Sequence, residues 1–108
     1  MTHHVSSMLE TYPKDLGDID RQKLAEFIEA CFECAQTCTA CADACLAEDM
    51  VSELTQCIRF NLDCADICAA TGRVLSRQTG NNVETTRALL EACRRCEQAC
   101  AELVATLG

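Results

Sequence analysis

The chain has 108 residues, 11 of them cysteine, and a formal net charge of −8, which argues against nucleic acid, where binding rests on Lys and Arg neutralising phosphates. No apolar run approaches the roughly 20 residues that cross a bilayer, and the length fits one domain over residues 1–108 with a small core. Its first residues, MTHHVSSMLETYPKDLG, lack a basic start followed by an apolar stretch, so the expected compartment is the cytoplasm, where thiols stay reduced.

In chain order, Val5, Met8, Leu9 and Tyr12 fall at i, i+3, i+4 and i+7, which predicts a short amphipathic helix over about Thr2–Tyr12, ended by Pro13. With the polar link around Gly17 it makes an N-terminal part, 1–17. Residues 18–107 then read as three long helices. The first starts at Asp18 or Asp20, either of which can cap it, and runs to about Ala47. A second spans about Met50–Gln78 and ends at Gly80, Asn81 and Asn82. The third covers about Val83–Leu107. Tight connections near Glu48–Asp49 and Gly80–Asn82 make these helices antiparallel neighbours, so the fold class is all-α, an up-down antiparallel bundle of the four-helix type.

On the first long helix Cys31, Cys34, Cys38, Cys41 and Cys45 repeat with 3-4-3-4 spacing, so their thiols form one stripe, in the place where leucine normally makes a bundle seam. A turn centred near Asp49 sets Cys31 level with Cys68, Cys34 with Cys64, Cys38 with Asn61 and Cys41 with Cys57. The turn near Gly80 sets Cys93 beside Cys68, Cys96 near Cys64 and Cys100 near Asn61. Helices in a bundle pack about 8–10 Å apart, so inward sulfurs at one height can share an ion. Leu24, Phe27, Ile28, Val74, Leu75, Val83, Leu89 and Leu90 gather at the opposite end as an expected apolar plug, leaving ions to enter by the turn that holds Met50.

Disulfides fit this pattern poorly, because helical neighbours have Cβ atoms roughly 5–6 Å apart and a relaxed bridge wants about 3.8 Å. Thiolates are soft ligands that select Cu(I), zinc or iron–sulfur clusters. Structural zinc and iron–sulfur clusters usually take CxxC pairs from turns or loops, whereas every CxxC here lies within a helix. Cu(I) accepts two or three sulfurs, so a column of pairs reads as capacity for several ions, about five to ten per chain. The candidate ligands are Cys31, Cys34, Cys38, Cys41, Cys45, Cys57, Cys64, Cys68, Cys93, Cys96 and Cys100. Met50 is an accessory candidate, as are His3 and His4, since a histidine at the third position of a free N-terminus can wrap Cu(II) in nitrogens. Asn61 reads first as a register-setting polar residue in the seam.

The stretches IEACFECAQTCTACADACLAE (residues 28–48), QCIRFNLDCADICA (56–69) and EACRRCEQAC (91–100) resemble the four-helix-bundle copper storage proteins. That resemblance implies storage of many Cu(I) ions along the bundle interior, in a protein kept in the cytoplasm. This sequence departs from the family pattern in placing Thr86, Leu89 and Asn61 where the family has cysteine, which implies a lower capacity. The family has four long helices, the last preceded by a His-bearing turn, and here the third long helix is followed by Gly108. An N-terminal helix of about 11 residues is roughly 17 Å long, too short to cover helices of nearly 30, so a second copy of the chain is expected to close the open side. A copper chaperone is a candidate partner, with the donor itself left open by the sequence. No Ser/His/Asp set appears, and both histidines lie at the start of the chain, away from the thiols, so an enzyme is not expected. The alternatives are a structural or thiol-redox bundle that holds no copper, and a zinc or iron–sulfur protein.

Overall fold

The computed structural model describes residues 2–14, 16–17 and 20–107, with the side chains of 2, 3, 100, 101 and 103–107 left out. Its elements in order are α1 (Thr2–Glu10), α2 (Arg21–Leu46), a 3₁₀ turn (Val51–Glu53), α3 (Thr55–Ser76) and α4 (Val83–Leu107). All of the described regular structure is helical, as the periodicity predicts, and it forms a body measuring 52 × 27 × 19 Å.

α1 stops at Glu10, two residues before the expected end, because Pro13 has no N–H to donate and disfavours helical geometry in the residue before it. The Thr11 hydroxyl closes the last turn by donating to the Ser7 and Met8 carbonyls. Beyond it, the hydroxyls of Tyr12 and Thr79 are paired at 2.7 Å, which ties the end of α1 to the connection between α3 and α4. Met8, expected on the buried face, is 40% exposed, and Leu9 is the residue that goes fully inside.

Asp20 caps α2, its Oδ1 accepting from the backbone N–H of Gln22 and Lys23 at 3.0 and 3.1 Å. Asp18 lies outside the described residues. Such a cap satisfies N–H groups that the helix itself leaves without partners. From the first turn of α2, Arg21 Nη1 donates to the Leu9 carbonyl at 2.9 Å, placing a cation at the C-terminal end of α1.

The start of α3 differs from expectation. Met50 and Leu54 have φ/ψ of −95/35° and −107/7°, off the α-helical values, and between them Glu53 and Leu54 donate to Met50 and Val51 in i→i+3 fashion. The α-helix begins only at Thr55. The connection between the helices thus runs from Leu46 to Thr55 and is centred at residues 50–51 instead of at Asp49, which shifts α3 along α2 relative to the expected hairpin. The far end of α3 is also shorter, since Arg77 is extended at φ/ψ −99/107°. Gly80 then turns the chain at φ +62°, a region that suits glycine. Asn82, expected only to end the preceding helix, caps α4 by accepting from Thr85 N–H at 3.0 Å.

The apolar end is built by Leu9, Ala25, Ile28 and Leu75, with Val5, Leu16, Leu24 and Leu90 packed against them. Burying each Leu or Ile side chain contributes about 1.5–3 kcal/mol. Phe27 and Val83 do not join this plug, being 43% and 62% exposed. Val83 is the first residue of α4, at the outer end of that helix, while Phe27 flanks a groove described below. Midway along α2, the ring of Phe32 lies on Gly72 of α3 so closely that a Cβ there would stand 2.9 Å from its Cζ.

Candidate metal centre

The 3-4-3-4 stripe is realised on one uninterrupted helix, α2. Facing it, α3 brings Cys57, Cys64 and Cys68, and α4 brings Cys93 and Cys96; the side chain of Cys100 lies outside the described residues. All ten described cysteines are free thiols. Sulfur separations here far exceed the roughly 2.05 Å of a disulfide bond.

At the centre, Cys34 Sγ lies 3.2 Å from Cys68, 3.7 Å from Cys64 and 3.9 Å from Cys38. Cys68 Sγ lies 3.9 Å from Cys64 and 3.4 Å from Cys93. The ligand atoms of Cys34, Cys64 and Cys68 all fall within 4.8 Å of one another. A metal–sulfur bond of about 2.3 Å puts three trigonal sulfurs roughly 4.0 Å apart and two linear ones roughly 4.6 Å apart. This trio therefore meets a soft ion with only small side-chain movement, and Cys93 extends it onto a third helix.

Two expected pairings are present, Cys34 with Cys64 and Cys68 with Cys93. Others are shifted. Cys34 also reaches Cys68, Cys45 pairs with Cys57, and the neighbour of Cys31 is Cys93. The first two of these shifts follow the displacement of α3 by the 3₁₀ turn, and they place Cys45 of α2 between Cys57 and its own helical neighbour Cys41.

Burial varies along the column. Cys31, Cys64 and Cys68 are only 1–3% exposed, Cys34, Cys38, Cys45, Cys57, Cys93 and Cys96 are half-buried, and Cys41 is exposed. Burial, followed by the charge of Cys93, pushes the Cys31 thiol up to about 12. Cys64 and Cys68 are pushed up as well, first by burial and then by hydrogen bonding with Cys34. Cys45 moves the same way, by partial desolvation and then by Cys57. At neutral pH the metal-free thiols of Cys31, Cys45, Cys64 and Cys68 thus hold their protons, and an ion that binds them must displace those protons.

The accessory candidates lie elsewhere. Met50 is 58% exposed in the turn, His4 is exposed on α1 and lies outside the three-thiol group, and the side chain of His3 is outside the described residues. Periodicity alone did not single out Glu97, which with Phe27 and Ala30 lines a groove of about 200 Å³ leading to Cys31, Cys34, Cys68 and Cys93. Its position one helical turn beyond Cys93 is the signal that would have found it. Asn61 is buried in the column, and its Nδ2 donates to Cys57 Sγ at 3.6 Å.

Comparison with known proteins gives the same family as the motifs. The family model described as copper storage protein matches residues 20–105. The structure of the copper storage protein Ccsp from Streptomyces lividans, loaded with 10 copper equivalents, is 54% identical and superposes with a TM-score of 0.90, covering 94% of this chain and 77% of that one. Another S. lividans structure, of a cytosolic copper storage protein with five coppers, is 53% identical with a TM-score of 0.77, over 83% of this chain and 75% of that one. A cysteine-rich protein of Bacillus subtilis (strain 168), YhjQ, described as uncharacterized, is 33% identical over 73 residues, 68% of each chain.

Proposed function

Since the chain belongs to the copper storage protein family, we propose that it takes up several Cu(I) ions on the thiolates of Cys31, Cys34, Cys38, Cys41, Cys45, Cys57, Cys64, Cys68, Cys93, Cys96 and Cys100 and holds them in reserve. The observation that carries this assignment is the convergence of Cys34, Cys64 and Cys68 within 4.8 Å, with Cys93 against Cys68. An ion arriving there meets soft sulfur on two or three sides, and burial then keeps water and competing ligands from it. Each thiol gives up its proton as it binds, so the charge added by copper is offset by protons released.

The role is one of binding without catalysis. The S. lividans relative is described as cytosolic, and a cytosolic location for this chain suits a store that depends on reduced thiols. A chaperone that delivers Cu(I) by thiol exchange fits the same chemistry. Exposed Phe27, beside the groove that leads to the thiols, supports closure of that side by a second copy of the chain, which light scattering of the metal-free and loaded protein would detect as a dimer or higher species.

Titrating reduced, metal-free protein with Cu(I) against a competing chelator tests the assignment. The expected result is saturation at several equivalents per chain, with thiolate-to-copper absorption growing throughout. Saturation at zero or one equivalent overturns it in favour of a structural or thiol-redox bundle, and zinc that survives stoichiometric Cu(I) favours a zinc site.

A further inference from the structure

Cys34, Cys64 and Cys68 form a triangle of sulfurs whose sides measure 3.2, 3.7 and 3.9 Å. Among the described residues, no other three His, Cys, Asp or Glu side chains bring their ligand atoms within 4.8 Å of one another. The triangle is tighter than a planar three-coordinate ion asks for, since bonds of about 2.3 Å at about 120° hold the sulfurs roughly 4.0 Å apart. A pyramidal centre with bonds of about the same length and angles near about 100° brings them to roughly 3.5 Å, in the middle of the observed range. Three-coordination of that shape, with a lone pair at the apex, belongs to the soft trivalent metalloids, of which arsenic is the smallest that prefers thiols.

Charge points the same way. Cys64 and Cys68 are 1% exposed, and net charge is costly to bury. Three thiolates around one Cu(I) leave uncompensated negative charge, whereas three around trivalent arsenic leave none. We infer that Cys34, Cys64 and Cys68 form a binding site for trivalent arsenic, taken up as uncharged arsenous acid, As(OH)3.

The groove between α2 and α4, about 200 Å³ in volume, is lined by Cys31, Cys34, Cys68 and Cys93 together with Phe27 and Glu97, and it has room for a solute of four heavy atoms. A neutral solute is not repelled by Glu97 or by a chain of formal net charge −8, whereas an oxyanion is. Cys34 and Cys68 meet the arsenic from the groove, and Cys64, which lies behind them, completes the triangle. Each of the three steps is a ligand substitution. One As–S bond forms as one As–O bond breaks, the thiol proton leaves with the hydroxide as water, and arsenic stays trivalent, so no oxidant or reductant is consumed. This second cargo uses the same sulfurs as copper but does not depend on the storage reading.

The reduced, metal-free full chain is titrated with sodium arsenite and followed by native mass spectrometry, with the free thiols counted in parallel by a chromogenic disulfide. The first arsenic should add the mass of the atom less three hydrogens and remove three thiols from the count, and any further arsenic should bind more weakly by roughly tenfold or more. Cys64→Ser should weaken the first arsenic by roughly tenfold or more. The same variant should still bind phenylarsine oxide, which needs only two thiols and finds them in Cys34 and Cys68, so that a folded chain is read independently. A first arsenic that consumes two thiols, one that binds no more tightly than the next, or one that Cys64→Ser leaves unchanged overturns the inference and leaves the copper reading to its own titration. A chain that binds one arsenic tightly through three thiols but takes no Cu(I) upholds this inference while the storage reading falls.

Discussion

At the α1 end of the bundle, Leu9, Ile28 and Leu75 are buried against one another under the Asp20 cap and the Arg21 bond to α1, whereas toward the turn between α2 and α3 the inward positions are Cys38, Cys41, Cys45 and Cys57, all half-buried or exposed. The first region is complete without a ligand. The second gains less from burial, because a thiol is a smaller hydrophobe than Leu or Ile and these positions are only partly covered. One helix set thus carries a well-buried apolar scaffold and a more exposed stretch of thiols, which predicts a gradient of local stability along a single bundle.

The largest effect that can test this contrast is copper itself. Ions that bind only the folded chain stabilise it by about 4 kcal/mol for each site filled at a thousand times its dissociation constant, so the melting temperature should climb steeply through a Cu(I) titration. Hydrogen exchange should slow most around Cys41, Cys45 and Cys57 and least around Ile28; uniform slowing would count against the contrast.

Next in size, Ile28→Ala removes a fully buried side chain from the apolar end and should cost about 2–5 kcal/mol in denaturant melts of the metal-free protein. Copper capacity should stay the same at saturation, because the thiol column is intact. A parallel loss of capacity would show that the two regions are not separable.

A pH series sharpens the comparison from the thiol side. The Cys31 thiol titrates near 12 in the folded chain against an ordinary 9.0, with Cys64 and Cys68 shifted in the same direction. A group whose pKa is raised by folding contributes fully below the unfolded value and loses that contribution as pH rises toward the folded one, since the unfolded chain ionises first. Metal-free protein should therefore melt at progressively lower temperature between about pH 9 and 12. Loaded protein should behave oppositely below pH 9, gaining stability as pH rises, because unloading takes up protons. Thermal melts of both forms across this range check the sign.

The smallest change is Asp20→Ala, which removes the cap of α2 and should cost about 1 kcal/mol. Its effect should fall on metal-free stability, with the number of Cu(I) ions bound at saturation unchanged.

Much of this arrangement was legible in the residues. Spacing alone aligned Cys31 to Cys45 on one face, Asp20 was a readable cap, and the limits of α4 follow from Asn82 and the pattern after it. The 3₁₀ turn at Val51–Glu53 was not legible, because Val51, Ser52 and Glu53 are all compatible with an α-helix and the change lies in the backbone at Met50 and Leu54. That local difference carried the Cys34–Cys68 and Cys45–Cys57 pairings with it. The exposure of Phe27 was hidden for another reason: periodicity gives the face of a helix but not how near the next helix comes, and here a groove separates that flank from full burial.

The contact of Phe32 with Gly72 bears on how the column takes its load. Cys34 and Cys68 stand 3.2 Å apart as thiols, and a shared ion needs roughly 4.0 Å between sulfurs, a difference that rotation of the side chains covers while the helices stay in place. The aromatic ring seated on bare backbone holds one flank of that pair shut. Any side chain larger than hydrogen at Gly72 would have to push that ring aside, and α2 with it, so the spacing of the facing thiols is set in part by a glycine.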